Sequence, residues 1–278
     1  PLNYADYENY VEKTADHYRK MIQCYCVWNE PWNSLFFSDG YKDKKHLFPK
    51  NPGAEYVKIM KATWEAAKAV DKNILIAGIN TTSHDYALKD KYISGPDWTK
   101  SVIDAGGLDY CDVITYHGYS YSGSLGFPED DIKAGLDSAL GEIKRKYGKI
   151  PKPVWMTEGS AATHMLSKGM YHHTTVDPSN DDLKRIANDS CRFMLSLQAN
   201  QVEKLFLYSV NAHSGEFGVN NGWQFLVSDD GYLHPCAAAV SNYIWLIEGL
   251  TFKQMIDLNN GVYAYVFSDG KRCVATLS

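Results

Sequence analysis

Apolar positions follow two alternating rhythms along this chain. Tyr7, Val11, Ala15, Tyr18 and Ile22 fall at helical spacing and predict a helix over residues 4–20. A continuous apolar run over 21–28 then predicts a buried strand, closed by the turn Asn29-Glu30-Pro31. The pair repeats. Val57, Met60, Trp64 and Ala67 share one face of a predicted helix over 54–70, followed by a strand over 73–79. Asp97 is placed to cap a helix through Ala105, ahead of a strand over 111–117. Ile132, Leu136, Leu140, Ile143 and Tyr147 mark a helix stopped at Gly148, and a strand over 153–158 follows. Leu183, Ile186, Met194 and Leu197 mark the next helix, with a strand over 204–210 behind it, and His234–Glu248 is a last, broadly apolar helix.

Strands that read as unbroken apolar runs are buried on both faces, which predicts a parallel sheet covered by helices. Beyond residue 250 the rhythm changes. Residues 251–256, 262–267 and 272–277 predict short antiparallel strands, turning at Asn259-Asn260-Gly261 and Ser268-Asp269-Gly270. The expected organisation is therefore an α/β domain over 1–250 and the beginning of a β-sandwich over 251–278.

Composition narrows the function without choosing one. The 278 residues are 45% hydrophobic and 22% charged, which suits a globular core, and a formal charge of −5 gives no reason to expect a nucleic-acid or anionic-membrane partner. No run of 18 apolar residues is present, so no membrane span is predicted. The chain opens on Pro1-Leu2-Asn3-Tyr4, so a targeting segment is expected to be removed or to lie outside it. Six cysteines lack zinc spacing, and Cys24 and Cys26 lie on one strand face, a poor geometry for pairing with each other. Buried free thiols are the expectation, with any disulfide unreadable. His164, His172 and His173 do not converge at ligand spacing, and Gly118, Gly123 and Gly126 form no phosphate-binding pattern, so no metal or cofactor is expected.

The candidate chemistry lies at two strand ends. Glu30 follows Cys24-Tyr25-Cys26-Val27-Trp28-Asn29, and Glu158 follows Pro153-Val154-Trp155-Met156-Thr157. A carboxylate just past a buried strand stands on a rigid base in the loop layer, where α/β proteins place their chemistry. At Asn29-Glu30-Pro31 and Thr157-Glu158-Gly159 the sequence resembles the retaining glycoside hydrolases of the (β/α)8 superfamily called clan A. Those enzymes carry an Asn-Glu pair after the fourth barrel strand and a second Glu after the seventh. Counting 21–28 as the fourth strand puts Glu158 three strands on, after the seventh. His117-Gly118-Tyr119 after the intervening sixth strand is similar to a His-x-Tyr found in several families of the clan. The resemblance covers about residues 20–250.

The resemblance implies a (β/α)8 barrel with strands four to eight in this chain, and hydrolysis of a β-linked glycoside by double displacement. It makes Glu30 the acid/base and Glu158 the nucleophile. Asn29, His117 and Tyr119 become substrate-binding residues, the first expected on the sugar 2-hydroxyl. Trp32 and Trp223 are candidates for stacking on sugar, with rim packing as the other reading. Asn80 ends a strand and either faces the cleft or makes a turn. A whole barrel needs about 250 residues, so the first three βα units are expected from upstream sequence or another chain, unless the strand count differs. A secreted or extracytoplasmic location is expected from the substrate class. The other reading is a carbohydrate-binding barrel that has lost catalysis.

Overall fold

A computed structural model describes residues 2–42, 45–84, 87, 91–121, 128–162, 165–166, 169–170, 179–211, 226–228 and 230–278. The chain divides into two compact units. The first is Pro1–His117 with Gly135–Thr157, and the second is Gly118–Ala134 with Glu158–Ser278.

In the first unit, α1 (Tyr4–Tyr18) starts at Asn3, whose side chain accepts from the Ala5 amide. It meets α2 (Pro52–Val70) through a 2.9 Å hydrogen bond between the Tyr7 and Thr63 hydroxyls. β1 (Cys24–Cys26) is shorter than its apolar run because residues 19–21 form a turn and residues 22–23 no regular structure. A small antiparallel hairpin, β2 (Gly40–Lys42) and β3 (Lys45–Leu47), follows and was not legible in the sequence. At the end of α2, Lys68 reaches the Asp112 carboxylate at 2.8 Å and the Ile74 carbonyl at 2.6 Å, while Asp112 accepts from the Ile76 amide. That knot joins the helix to the start of β4 (Leu75–Thr82).

Two corrections concern α3 (Gly95–Asp104) and the strand before it. The cap is Ser94, not Asp97: the Ser94 hydroxyl accepts from the Asp97 amide and donates to its carboxylate at 2.7 Å. Pro96 sits in the first turn, where its missing N–H costs nothing. β4 runs three residues past its predicted end, to Thr82.

β5 (Val113–Tyr121), α4 (Pro128–Tyr147) and β6 (Val154–Ala162) each run from one unit into the other. Gly148 ends α4 in the left-handed region (φ 74°), its amide on the Lys144 carbonyl, as the sequence predicts. In the second unit a two-residue hairpin, β7 (Met165–Leu166) and β8 (Gly169–Met170), precedes α5 (Asn180–Ala199), which opens on a capping box between Ser179 and Asp182. β9 (Val202–Leu205) begins two residues earlier than predicted and is followed by α6 (Pro235–Ile247).

Five strands form one sheet in the order β1-β4-β5-β6-β9, and the printed pairings β1–β4 and β4–β5 are parallel. The last three strands, β10 (Thr251–Asp257), β11 (Tyr263–Ser268) and β12 (Cys273–Leu277), form a separate antiparallel sheet, turning where the sequence placed the turns. Tyr265 and Phe267 bury one face of it. Beneath, the carboxylate of Glu129 meets Arg192: Nε lies 2.8 and 3.1 Å from its two oxygens, and the Tyr265 hydroxyl donates to it at 3.0 Å. All six cysteines are free thiols. Among the described residues no helix is long and apolar enough to cross a membrane.

Candidate active site

The acid half of the predicted site is built at the end of β1. Val27 makes the last bond of the β1–β4 ladder, its amide on the Ala77 carbonyl at 2.9 Å. The chain then leaves the sheet with Trp28 (φ 64°) and Glu30 (φ 43°) in the left-handed region. Neither is glycine, so the turn persists only where its surroundings hold it. The hold is visible on both sides. Downstream, the Asn33 amide bonds the Glu30 carbonyl, and the Trp28 indole N–H donates to the Phe36 carbonyl at 3.0 Å. Upstream, the carbonyl of Val27 accepts from the Tyr56 hydroxyl at 2.8 Å, and the carbonyls of Val27 and Trp28 accept from Asn80 Nδ2. Tyr56 is fully buried, and burial pushes its pKa well up, so the hydroxyl stays a donor.

Asn80 reaches that turn because β4 bulges. Gly78 pairs with Ile114 and Thr81 with Tyr116, so Ile79 and Asn80 together oppose Thr115 alone. Both bulged residues take positive φ (75° and 52°). The Thr115 hydroxyl fills the gap, donating to the Gly78 carbonyl and accepting from the Asn80 amide, each at 2.9 Å. The Trp98 indole donates to the Ile79 carbonyl at 2.8 Å. The backbone groups released by the bulge are thus met by side chains.

Glu30 faces His117, whose Nδ1 lies 3.1 Å from Glu30 Oε1; the Glu30 side chain is 14% exposed and that of His117 4%. A ring nitrogen carrying hydrogen donates to the carboxylate at that distance. Asn29, next to it, is exposed. In the second unit the nucleophile candidate has its own partner. The Tyr119 hydroxyl donates to Glu158 Oε1 at 2.7 Å, short enough for a charge-assisted bond, and both residues are half-buried. Glu158 lies within β6 rather than just past a strand, because β6 continues to Ala162.

Other expected site residues fall differently. Trp32 is only 3% exposed, its ring tilted against His84 and Tyr92, so rim packing describes it. Asn80 is 0% exposed, with its amide committed to backbone carbonyls rather than offered to a ligand. Trp28, at 41% exposed, is the open aromatic of the turn. Trp223, His164, His172 and His173 lie outside the described residues. Sequence reasoning missed the Tyr56, Thr115 and Asn80 brace. Gly78 inside an otherwise apolar strand run was the available signal, since an interior glycine often marks a bulge.

No protein-family model matches the chain, and no curated protein does. Solved structures do. The chain is similar to a family 39 glycoside hydrolase from the gut symbiont Bacteroides cellulosilyticus WH2 (TM-score 0.62, 17% identity, 97% of this chain and 50% of that one). It is also similar to a monomeric beta-xylosidase from Caulobacter crescentus CB15 (TM-score 0.57, 15% identity, 98% and 51%). A third is a beta-porphyranase of glycoside hydrolase family 86 from Bacteroides plebeius (TM-score 0.59, 13% identity, 98% and 48%). The chain spans about half the length of these proteins. At these identities the likeness is one of architecture: the chain shares its fold with part of these glycoside hydrolases.

Proposed function

We propose that this protein is a retaining glycoside hydrolase that cleaves a β-linked glycoside, with Glu158 as nucleophile and Glu30 as acid/base. One observation carries the reading. β5 presents His117 and Tyr119, two residues apart and so on one face of the strand, and each bonds one of the two glutamates. Double displacement requires an acid and a nucleophile on either side of one glycosidic bond, and a strand that bonds a candidate for each supports the reading.

Ionised Glu158 attacks the anomeric carbon as the glycosidic bond to the leaving oxygen breaks, and a glycosyl ester forms. Glu30 gives its proton to that oxygen. In the second step Glu30 takes a proton from water as the water opens the ester, and both carboxyl groups return to their starting states. The Tyr119 hydroxyl donates to Glu158 and orients its carboxylate for attack. Exposed Asn29 is placed beside Glu30 to meet the sugar 2-hydroxyl, a contact that strengthens in the transition state. Trp28, 41% exposed, supplies an aromatic face for a sugar ring.

The finer fold belongs to the same proposal. β1, β4, β5, β6 and β9 are the fourth to eighth strands of a (β/α)8 barrel, and β10–β12 begin a β-sandwich. The first three βα units come from elsewhere in the protein or from another chain. An extracytoplasmic location, where polysaccharide substrates lie, completes the reading.

The test is a pair of variants assayed on a panel of aryl β-glycosides. Glu158→Gly is expected to abolish turnover by several orders of magnitude, with azide restoring release of the aryl group and yielding a glycosyl azide. Glu30→Gln is expected to slow the enzyme by about 100- to 10,000-fold on substrates with poor leaving groups. Wild-type turnover in both variants would reject these two catalytic roles, and a parent protein that turns over no substrate of the panel would leave the carbohydrate-binding reading.

A further inference from the structure

The brace behind the Val27–Glu30 turn has a consequence for specific substrates. We propose that Asn80 is a positioning residue for the acid/base, fixing Glu30 through the backbone of Val27 and Trp28; this rests on the function proposed above for Glu30.

The argument starts from what the turn lacks. After Val27 the β1–β4 ladder ends, so the next carbonyls lose their sheet partners. They point toward Asn80 and Tyr56, which are both 0% exposed. A rigid turn there needs donors supplied by side chains. Asn80 gives one nitrogen to two successive carbonyls, at 3.3 Å to Val27 and 2.9 Å to Trp28. Tyr56 adds the second donor on Val27. Trp28 then holds its left-handed conformation, and two residues later Glu30 emerges in its own.

The brace is itself over-determined. Asn80 can reach the turn only because the bulge rotates it there, and Thr115 and Trp98 stabilise the bulge by taking up its backbone groups. Thr115 lies on β5 two residues before His117, which meets the Glu30 carboxylate. One stretch of β5 therefore sets both ends of the acid: its backbone through Thr115 and Asn80, and its carboxylate through His117. Asn80 touches neither substrate nor reacting atoms in this account. It acts on where the proton is delivered.

Proton delivery matters only when the leaving group needs it. A dinitrophenolate departs without help, whereas a phenolate or an alkoxide does not. Misplacing Glu30 should therefore damage poor substrates and spare good ones during glycosyl transfer, whereas damage to the fold or to Glu158 should harm both. The experiment compares kcat/KM of the protein and of Asn80→Ala on phenyl and 2,4-dinitrophenyl β-glycosides of the sugar that the wild type accepts. Asn80→Ala is expected to lose about 100-fold on the phenyl substrate and less than about 5-fold on the dinitrophenyl one. Tyr56→Phe, which removes only a hydroxyl, is expected to show the same preference at a smaller amplitude, and it decides the matter if Asn80→Ala does not fold by circular dichroism. Equal losses on both substrates, or none on either in both variants, would overturn the positioning role. If Glu30→Gln shows the leaving-group preference while the Asn80 and Tyr56 variants do not, the brace fails and the proposed function stands. If the wild type and Glu30→Gln behave alike, both fall together.

Discussion

Two glutamates of this chain, Glu129 and the proposed acid/base Glu30, stand in different surroundings. Glu129, in the second unit, has a side chain 6% exposed and is covered by Arg192 at 9%. The guanidinium meets both carboxylate oxygens, Tyr265 donates to one of them, and Arg192 Nη2, itself 2.8 Å from the carboxylate, also reaches the Gly261 carbonyl at 3.2 Å. Such a carboxylate is bound to a permanent cation. Burial, and then the adjacent carboxylate, also push the Tyr265 pKa up, so that hydroxyl remains a donor. Glu30, in the first unit, meets the imidazole of His117, and it stands on a backbone held in left-handed conformations. The neutral imidazole carries one donor and one acceptor nitrogen, whereas the guanidinium only donates. The first arrangement joins α4 and α5 to the antiparallel sheet, and the second leaves a carboxyl group with freedom to act.

The comparison can be broken most strongly through Glu30. Glu30→Gln should lower kcat/KM on phenyl glycosides by about 100- to 10,000-fold with little change in the thermal midpoint. The Glu129 counterpart should reverse that pattern. Glu129→Ala leaves Arg192 buried without its anion, at an expected cost of about 3–5 kcal/mol in urea unfolding, while turnover per folded molecule stays near wild type. A Glu129→Ala protein that remains as stable as the parent would show that the pair is not holding the sheet.

A smaller effect should appear one turn away on α5. Asp189 is buried, and that burial pushes its pKa from 3.8 up to about 6, against the lowering influence of Arg192 and Arg185. The folded protein therefore binds this proton more tightly than the unfolded chain does. Its contribution favours folding below about pH 4 and is lost as the pH rises toward 6. Asp189→Asn should remove that loss, raising stability at pH 7 by on the order of 2 kcal/mol relative to its effect at pH 4. Unfolding curves at the two pH values check the sign, and an equal effect at both would refute it.

Much of this architecture was readable in advance because it rests on local periodicity. The five sheet strands, the six helices and the two turns of the final sheet follow from apolar runs, helical spacing and Asn-Gly or Asp-Gly pairs. Glu30, Glu158, His117 and Tyr119 were legible because each ends or follows an apolar run. What escaped depends on partners distant in sequence. Glu129 meets Arg192 across 63 positions and Tyr265 across 136, and no spacing rule links them. Asn80 was left between the cleft and a turn because a strand end was expected there; the bulge that turns it onto Val27 and Trp28 depends on Thr115, 35 residues on. Trp32 looked open in sequence because nothing local showed that His84 and Tyr92 would enclose it.

The central claim is that Glu158 forms a bond to sugar, and covalent trapping tests it most directly. Incubation with a 2-deoxy-2-fluoro glycosyl fluoride of the accepted sugar should stall the enzyme as its glycosyl ester. Proteolysis and mass spectrometry are expected to find the added fluorosugar mass on the peptide containing Glu158, with Glu158→Gly unlabelled. A label on any other carboxylate, or inactivation without a covalent adduct, would contradict the account.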